Sequence, residues 1–188
     1  MDPHYFIAFT LPDSIKEAIT PMIMHGQQEK QLKSWVHPED LHLTLVFIGS
    51  STRSTLEGCL NQIEAQVKGN DPIEVKMNRV DTFGDSARPR VIWIGIEESI
   101  EVETIRESIY RVCTTYYDHL DKRPFTPHIT LGRKWIGKGV YQHELFHDRL
   151  QQVSPTKFVL DEIALYETKL EQKPKYNKVR SIKLHPFV

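Results

Sequence analysis

A chain of 188 residues, 39% hydrophobic and 26% charged, is long enough to bury a core and too apolar to stay disordered, so a single domain over residues 1–188 is expected. The net charge of -1 and a pI near 6.8 exclude a chain-wide positive field that would hold a long polyanion; any nucleic-acid contact must be local. There is no apolar run of membrane length and no secretion signal near Met1, so the cytoplasm is the expected location, with Cys59 and Cys113 as reduced core thiols.

His4 to Leu11 is rich in aromatic and β-branched residues and stops at Pro12-Asp13, which predicts a strand. A helix capped by Asp13 or Ser14 follows, with Ile15, Ala18, Ile19, Met22 and Ile23 at helical spacing, Pro21 as a distorting residue and Gly26 near the end. Residues 35–40 read as a turn, and Leu41 to Ile48 as a strand closed by Gly49. Leu56, Cys59, Leu60, Ile63 and Val67 form the apolar face of a second helix that ends at Gly69-Asn70-Asp71-Pro72.

Strands are predicted at 73–80 and 90–96 around a loop at 83–89, then a third helix striped by Val102, Ile105, Ile109, Val112 and Tyr116. A strand from His128 to Arg133 comes next. After a glycine-punctuated stretch, two strands over 158–168 and 179–188 read as a hairpin whose basic tip is 173–178. Strands interspersed with helices indicate an α+β fold with much antiparallel pairing.

Leu41-His42-Leu43-Thr44-Leu45 and Pro127-His128-Ile129-Thr130-Leu131 share His-x-Thr-Leu, each at the start of a predicted strand. Alternation puts His42 with Thr44 on one face and Leu41, Leu43, Leu45 and Phe47 on the other; His128 and Thr130 pair in the same way. A lone histidine of this kind is ordinarily a satisfied side chain on a half-buried sheet, but two matched copies suit a shared cleft. Opening a phosphodiester with water needs one proton removed and another delivered, and imidazole does both near neutrality. The threonine hydroxyls are neutral donors for phosphate oxygens, and no metal or other cofactor is called for.

These residues resemble the two-histidine (2H) phosphoesterases, and within them the LigT-type RNA 2′,3′-cyclic phosphodiesterases, also described as 2′-5′ RNA ligases. The resemblance includes Tyr5-Phe-Ile-Ala8, Trp35-Val36, Leu41 to Gly49, Arg88 to Trp93, Phe125 to Arg133 and Leu165 to Leu170. It implies a bilobed fold in which two pseudo-symmetric lobes, with antiparallel sheets flanked by helices, enclose a central cleft. It also implies metal-free hydrolysis of RNA 2′,3′-cyclic phosphate ends to 2′-phosphomonoesters, with His42 and His128 catalytic. Thr44, Thr130 and Arg133 match phosphate- or substrate-contacting positions. By strict alternation Arg133 faces away from His128, so it reaches the cleft only if the strand ends or bulges. The family often has an arginine where this chain has His4, and Gly-Pro where it has Pro174-Lys175.

Two other signals compete. His143-Glu144-Leu145-Phe146-His147 fits H-E-x-x-H, a zinc-protease pattern, with Glu162 or Glu167 as the available third ligand. A module that only holds RNA ends is the other alternative, using Arg88, Arg90, Arg133, Lys134 and the 173–178 loop, with Phe83, Trp93 or Tyr176 stacking on bases. The expected substrate is an RNA terminus or a small cyclic nucleotide. No exposed heptad or long apolar strip asks for a protein partner or a membrane, so a monomer is expected.

Overall fold

The computed structural model describes residues 3–185. In chain order its elements are β1 (His4–Thr10), α1 (Asp13–Gln28), β2 (Leu32–Trp35), β3 (His42–Ser50), α2 (Arg53–Val67), β4 (Ile73–Gly84), β5 (Pro89–Ile96), α3 (Ile100–Thr114), β6 (His128–Trp135), α4 (His143–Gln151), β7 (Lys157–Leu160), β8 (Glu162–Thr168) and β9 (Tyr176–Lys183). The strands form one sheet in the order β7-β4-β5-β6-β3-β1-β8-β9, with β2 added along β6, and every pairing is antiparallel.

Four differences from the sequence-based expectation have long-range causes. The stretch containing Trp35 is a strand because β6 supplies its ladder, with Leu32 opposite Trp135 and Trp35 opposite Gly132. The strand expected over 158–168 breaks at Asp161 because its two parts pair with different partners, β7 with β4 and β8 with β1. β4 continues to Gly84 because Thr82, Phe83 and Gly84 pair with Ile92, Val91 and Pro89 of β5. β9 starts at Tyr176, inside the expected loop, because β8 extends to meet it; residues 186–188 of the expected strand lie outside the described residues. Local capping differs too: Pro12 occupies the N-cap of α1 with no side-chain bond, and Pro21 sits within a continuous helix.

The sheet has two halves, β3-β1-β8-β9 and β7-β4-β5-β6-β2. The pairing between β3 and β6 that joins them is the single opposition Leu43 to Ile129. Both side chains are fully buried, and truncating either to alanine is expected to cost roughly 2–5 kcal/mol.

The helices tie the halves together. α3 follows β5 of one half yet lies against β3 of the other, packed beside α2 so that the free thiols of Cys59 and Cys113 face each other at 3.8 Å. α1 follows β1 but packs on β2, where a Cβ on Gly26 would fall 2.1 Å from the Trp35 ring; only glycine fits there. α4 covers β4, and its Arg149 pairs with Glu29 beyond α1 at 3.2 Å. Because segments of both halves alternate along the chain, neither half can form from a contiguous piece.

Candidate active site

The two His-x-Thr segments meet where the halves join. Leu43 and Ile129 point back into the core, so their neighbours His42, Thr44, His128 and Thr130 all lie on the opposite face of the sheet. One step along the antiparallel register sets Thr130 across from His42 and His128 across from Thr44.

Each imidazole is oriented by the same local device. Nδ1 of His42 bonds the carbonyl of Asp40 at 2.7 Å, and Nδ1 of His128 bonds the carbonyl of Thr126 at 2.7 Å, in both cases two residues upstream. A carbonyl can only accept, so Nδ1 carries the proton and the neutral ring has its lone pair on Nε2. Nε2 of His42 accepts from the Thr44 hydroxyl at 2.9 Å. Nε2 of His128 has no hydrogen-bond partner among the described residues.

Aromatic rings enclose both imidazoles. Phe6, Tyr176 and Tyr166 lie 4.7, 5.2 and 6.0 Å from His42 between ring centres, and Phe83 and Trp93 lie 5.0 and 5.6 Å from His128. Burial among these rings pushes the His42 pKa down to about 4, and the neighbouring His128 and Arg133 push the same way against the Asp40 carbonyl. Burial also lowers the His128 pKa, again with Arg133 contributing. In the ligand-free site both rings are therefore neutral at pH 7.

β-Bulges decide what else faces the cleft. Between β1 and β3 the register passes from Ala8–Thr44 to Ile7–Val46, leaving Leu45 as the extra residue. Between β5 and β6 it passes from Trp93–Thr130 to Ile92–Gly132, leaving Leu131 extra. Each His-x-Thr-Leu motif thus bulges at its leucine, and the residue five positions after the histidine returns to the histidine's face. That residue is Arg133 in β6 and Phe47 in β3. Phe47, expected in the core with Leu41, Leu43 and Leu45, is instead 54% exposed; Val46 is buried in its place.

The resulting cleft, of ≈ 810 Å³, is lined by Thr44, Phe47, Phe83, His128 and Arg133, together with Arg90, Arg106 and Arg123. His42 adjoins it through Thr44, and Thr130 is half-buried beside it.

Asp40 has a structural role that its place in a turn does not reveal. It is 4% exposed, and its carboxylate accepts the backbone N–H groups of Lys175 at 2.8 Å and Tyr176 at 2.9 Å. It therefore clamps the tip of the β8–β9 hairpin beside His42 while its own carbonyl orients the ring.

A family model for the 2′-5′ RNA ligase superfamily matches residues 11–172. The chain belongs to the 2′-5′ RNA ligase superfamily. Among relatives of this superfamily member, an RNA 2′,3′-cyclic phosphodiesterase of Bacillus subtilis (strain 168) is 31% identical over 188 residues, covering 97% of each protein. Another of that name from Geobacillus stearothermophilus is 33% identical over 96% of this chain, which spans 57% of that protein's length. The crystal structure of E. coli LigT with 3′-AMP matches with a TM-score of 0.77 at 19% identity, over 97% of this chain and 99% of that one. The apo form of LigT matches with a TM-score of 0.76 at 21% identity, over 98% and 99%. At these identities the likeness to LigT is one of fold, and it is the expected bilobed α+β fold.

The remaining signals separate from this site. His143 and His147 do lie on α4 with rings 6.0 Å apart, but Nε2 of His143 is taken by the Val80 carbonyl at 2.8 Å and Glu144 is exposed. No cluster of three potential ligands exists among the described residues, so the zinc-protease reading fails on geometry. Trp93 is 2% exposed and supports His128 from behind, where no base can stack on it. Lys178, expected at a loop tip, is in β9 and paired with Glu162. Among the described residues no helix is long and apolar enough to cross a membrane.

Proposed function

We propose that this protein, read as one domain of two lobes, opens 2′,3′-cyclic phosphate ends of RNA to 2′-phosphomonoesters without a metal, with His42 and His128 as the proton-transfer pair. The observation that carries the reading is the Leu43–Ile129 junction, which sets two inward-facing His-x-Thr pairs side by side on the cleft face of the sheet. The name of the Bacillus relative, an RNA 2′,3′-cyclic phosphodiesterase similar over 97% of each protein, agrees with it.

In the reaction, water attacks phosphorus and its proton passes to Nε2 of His128. That lone pair is the unengaged one, which favours His128 as the base. The P–O3′ bond breaks, and O3′ takes a proton from Nε2 of His42, leaving a 2′-phosphate and a 3′-hydroxyl. His42 must enter as imidazolium, although its pKa is about 4 in the free site. The bound phosphate provides the change: an anion beside the ring favours the protonated form and offsets the burial that disfavours it. Thr44, Thr130 and Arg133 hold the non-bridging oxygens, and the exposed ring of Phe47 is a stacking surface for the base. The protein works as a monomer in the cytoplasm, where thiols such as Cys59 and Cys113 stay reduced.

The test is incubation with nucleoside 2′,3′-cyclic phosphates in chelator, with identification of the phosphomonoester isomer. The 2′ isomer is expected, and the double variant His42→Ala, His128→Ala should be inert. Exclusive formation of the 3′ isomer, or turnover by the double variant, overturns the scheme. Tight RNA binding without turnover would leave only an end-binding module.

A further inference from the structure

The two ends of the groove differ sharply in charge. Beyond His42, a hollow lined by Thr10, Tyr166 and Tyr176 contains three lysines and four carboxylates. Every one of those lysines is already paired: Lys16 with Asp13 and Glu39, Lys178 with Glu162, and Lys183 with Asp161 and Glu162. Beyond His128, the cleft wall holds Arg90, Arg106, Arg123 and Arg133 against one carboxylate, Asp121, in a chain whose net charge is -1. Positive charge is concentrated at one exit of the cleft and cancelled at the other.

Arg106 is the built part of that wall. Its guanidinium carbon lies 4.1 Å from the Tyr110 ring centre and 5.2 Å from that of Phe125. Its Nε is buried with no hydrogen-bond acceptor, and its ion pair with Glu107 is long, at 3.6 Å. The guanidinium is therefore short of acceptors in the free protein, which favours an anion on its open edge. The flanking rings hold the guanidinium plane ready for a bidentate oxyanion. At the rim, Arg123 binds Asp121 through Nε and Nη2, which leaves Nη1 unused, and Arg90 has no carboxylate partner among the described residues.

Distance limits what this anion can be. Phe125 is three residues before His128, and three extended residues span at most about 10 Å. Arg106 and His128 line the same cleft, so a nucleotide whose cyclic phosphate meets the imidazole has its other groups within that cleft as well. The anion next in line on such a substrate is the phosphate on the 5′ oxygen of the same nucleotide, which in RNA is the link to the rest of the strand.

We propose that Arg106, assisted by Arg123 and Arg90, forms a subsite for the 5′-phosphate of the nucleotide whose cyclic phosphate is opened, so that the RNA strand leaves along the arginine wall and not over the paired lysines. The proposal rests on the phosphodiesterase reading above.

The experiment compares kcat/KM for adenosine 2′,3′-cyclic phosphate with a free 5′-hydroxyl and for the same compound carrying a 5′-phosphate. The wild type is expected to favour the 5′-phosphorylated form by about tenfold, the scale of a charge-assisted contact. That ratio should fall towards one in Arg106→Gln and in Arg123→Gln, and Arg106→Lys should recover part of it. Arg123 is exposed, so its replacement does not threaten folding. Lys183→Gln, in the opposite hollow, should keep the wild-type ratio. A wild-type ratio near one, or a ratio untouched by both arginine variants, overturns the subsite. Loss of the ratio in Lys183→Gln would reverse the strand direction and overturn it as well. If neither compound is turned over, the phosphodiesterase reading itself has failed.

Discussion

Removing the Asp40 carboxylate should loosen the site and the fold together, in amounts the structure allows to be worked out. The side chain accepts two backbone N–H bonds, at 2.8 and 2.9 Å, from a residue that is 4% exposed. Hydrogen bonds to a charged partner are each worth about 1.5–3 kcal/mol net, so Asp40→Ala should lose at least about 3 kcal/mol. For a chain of this size each kcal/mol moves Tm by roughly 2–4 °C, which gives a fall of about 6–12 °C. Asp40→Asn keeps one acceptor and turns an NH2 towards the second amide, so it should recover only part of the loss.

The backbone carbonyl that orients His42 survives in both variants, so the loss of turnover should be smaller than in His42→Ala. What changes is the cover over the ring. With the hairpin tip released, Tyr176 no longer holds its edge against His42 and solvent enters; burial is the largest cause of the depressed pKa, so its relief should outweigh the loss of the Asp40 charge, which raises it, and the His42 pKa should rise from about 4. Thermal unfolding checks the first effect, and NMR titration of the His42 ring checks the second. If Asp40→Ala melts within about 2 °C of the wild type and the ring titrates as before, the clamp has been misread.

Burial of His42 should make stability pH-dependent. The unfolded ring takes its proton near 6.5 and the folded one near 4, so the unfolded state binds more protons in that window. Stability is thus full above pH 6.5 and falls by about 3 kcal/mol as the pH drops to 4. Urea unfolding of His42→Gln should show a correspondingly smaller fall, and an identical one would remove the argument. Phe47→Ala should leave Tm nearly unchanged, since the ring is 54% exposed, while raising KM for a cyclic nucleotide roughly tenfold through lost stacking; an unaltered KM would show that the ring touches no base. Gly132→Ala puts a Cβ 2.6 Å from Leu32 and 2.7 Å from the Ser34 carbonyl, at the bulge that aims Arg133. It should cost about 1–3 kcal/mol by calorimetry and raise KM as well; a normal KM would separate the bulge from substrate binding.

The candidate site was legible because its pattern is local. His42 with Thr44 and His128 with Thr130 share a face through the two-residue period of a strand, and the repetition of His-x-Thr-Leu announced two equivalent halves. The apolar stripe of α2 was equally clear, and that of α3 as far as Ile109, since helical spacing needs no partner; beyond it the buried face passes to Cys113, with Val112 half-buried and Tyr116 past the helix end. Where strand pairing decides the structure, residue pattern is not enough. Trp35 sits in a strand that exists through β6, and Asp161 breaks a run whose two ends belong to different halves. Asp40 looked like an ordinary turn residue because its partners, Lys175 and Tyr176, are more than a hundred residues away.

Residue order alone determined that each histidine shares a face with its threonine, because side-chain alternation depends on nothing beyond the strand itself. The tertiary structure decided what surrounds them. Bulges at Leu45 and Leu131 arise from the register that neighbouring strands impose, and they reverse the facing of Phe47 and Arg133. The convergence of both imidazoles likewise depends on one contact between distant strands, Leu43 against Ile129, whose register is set by the packing of both halves at once.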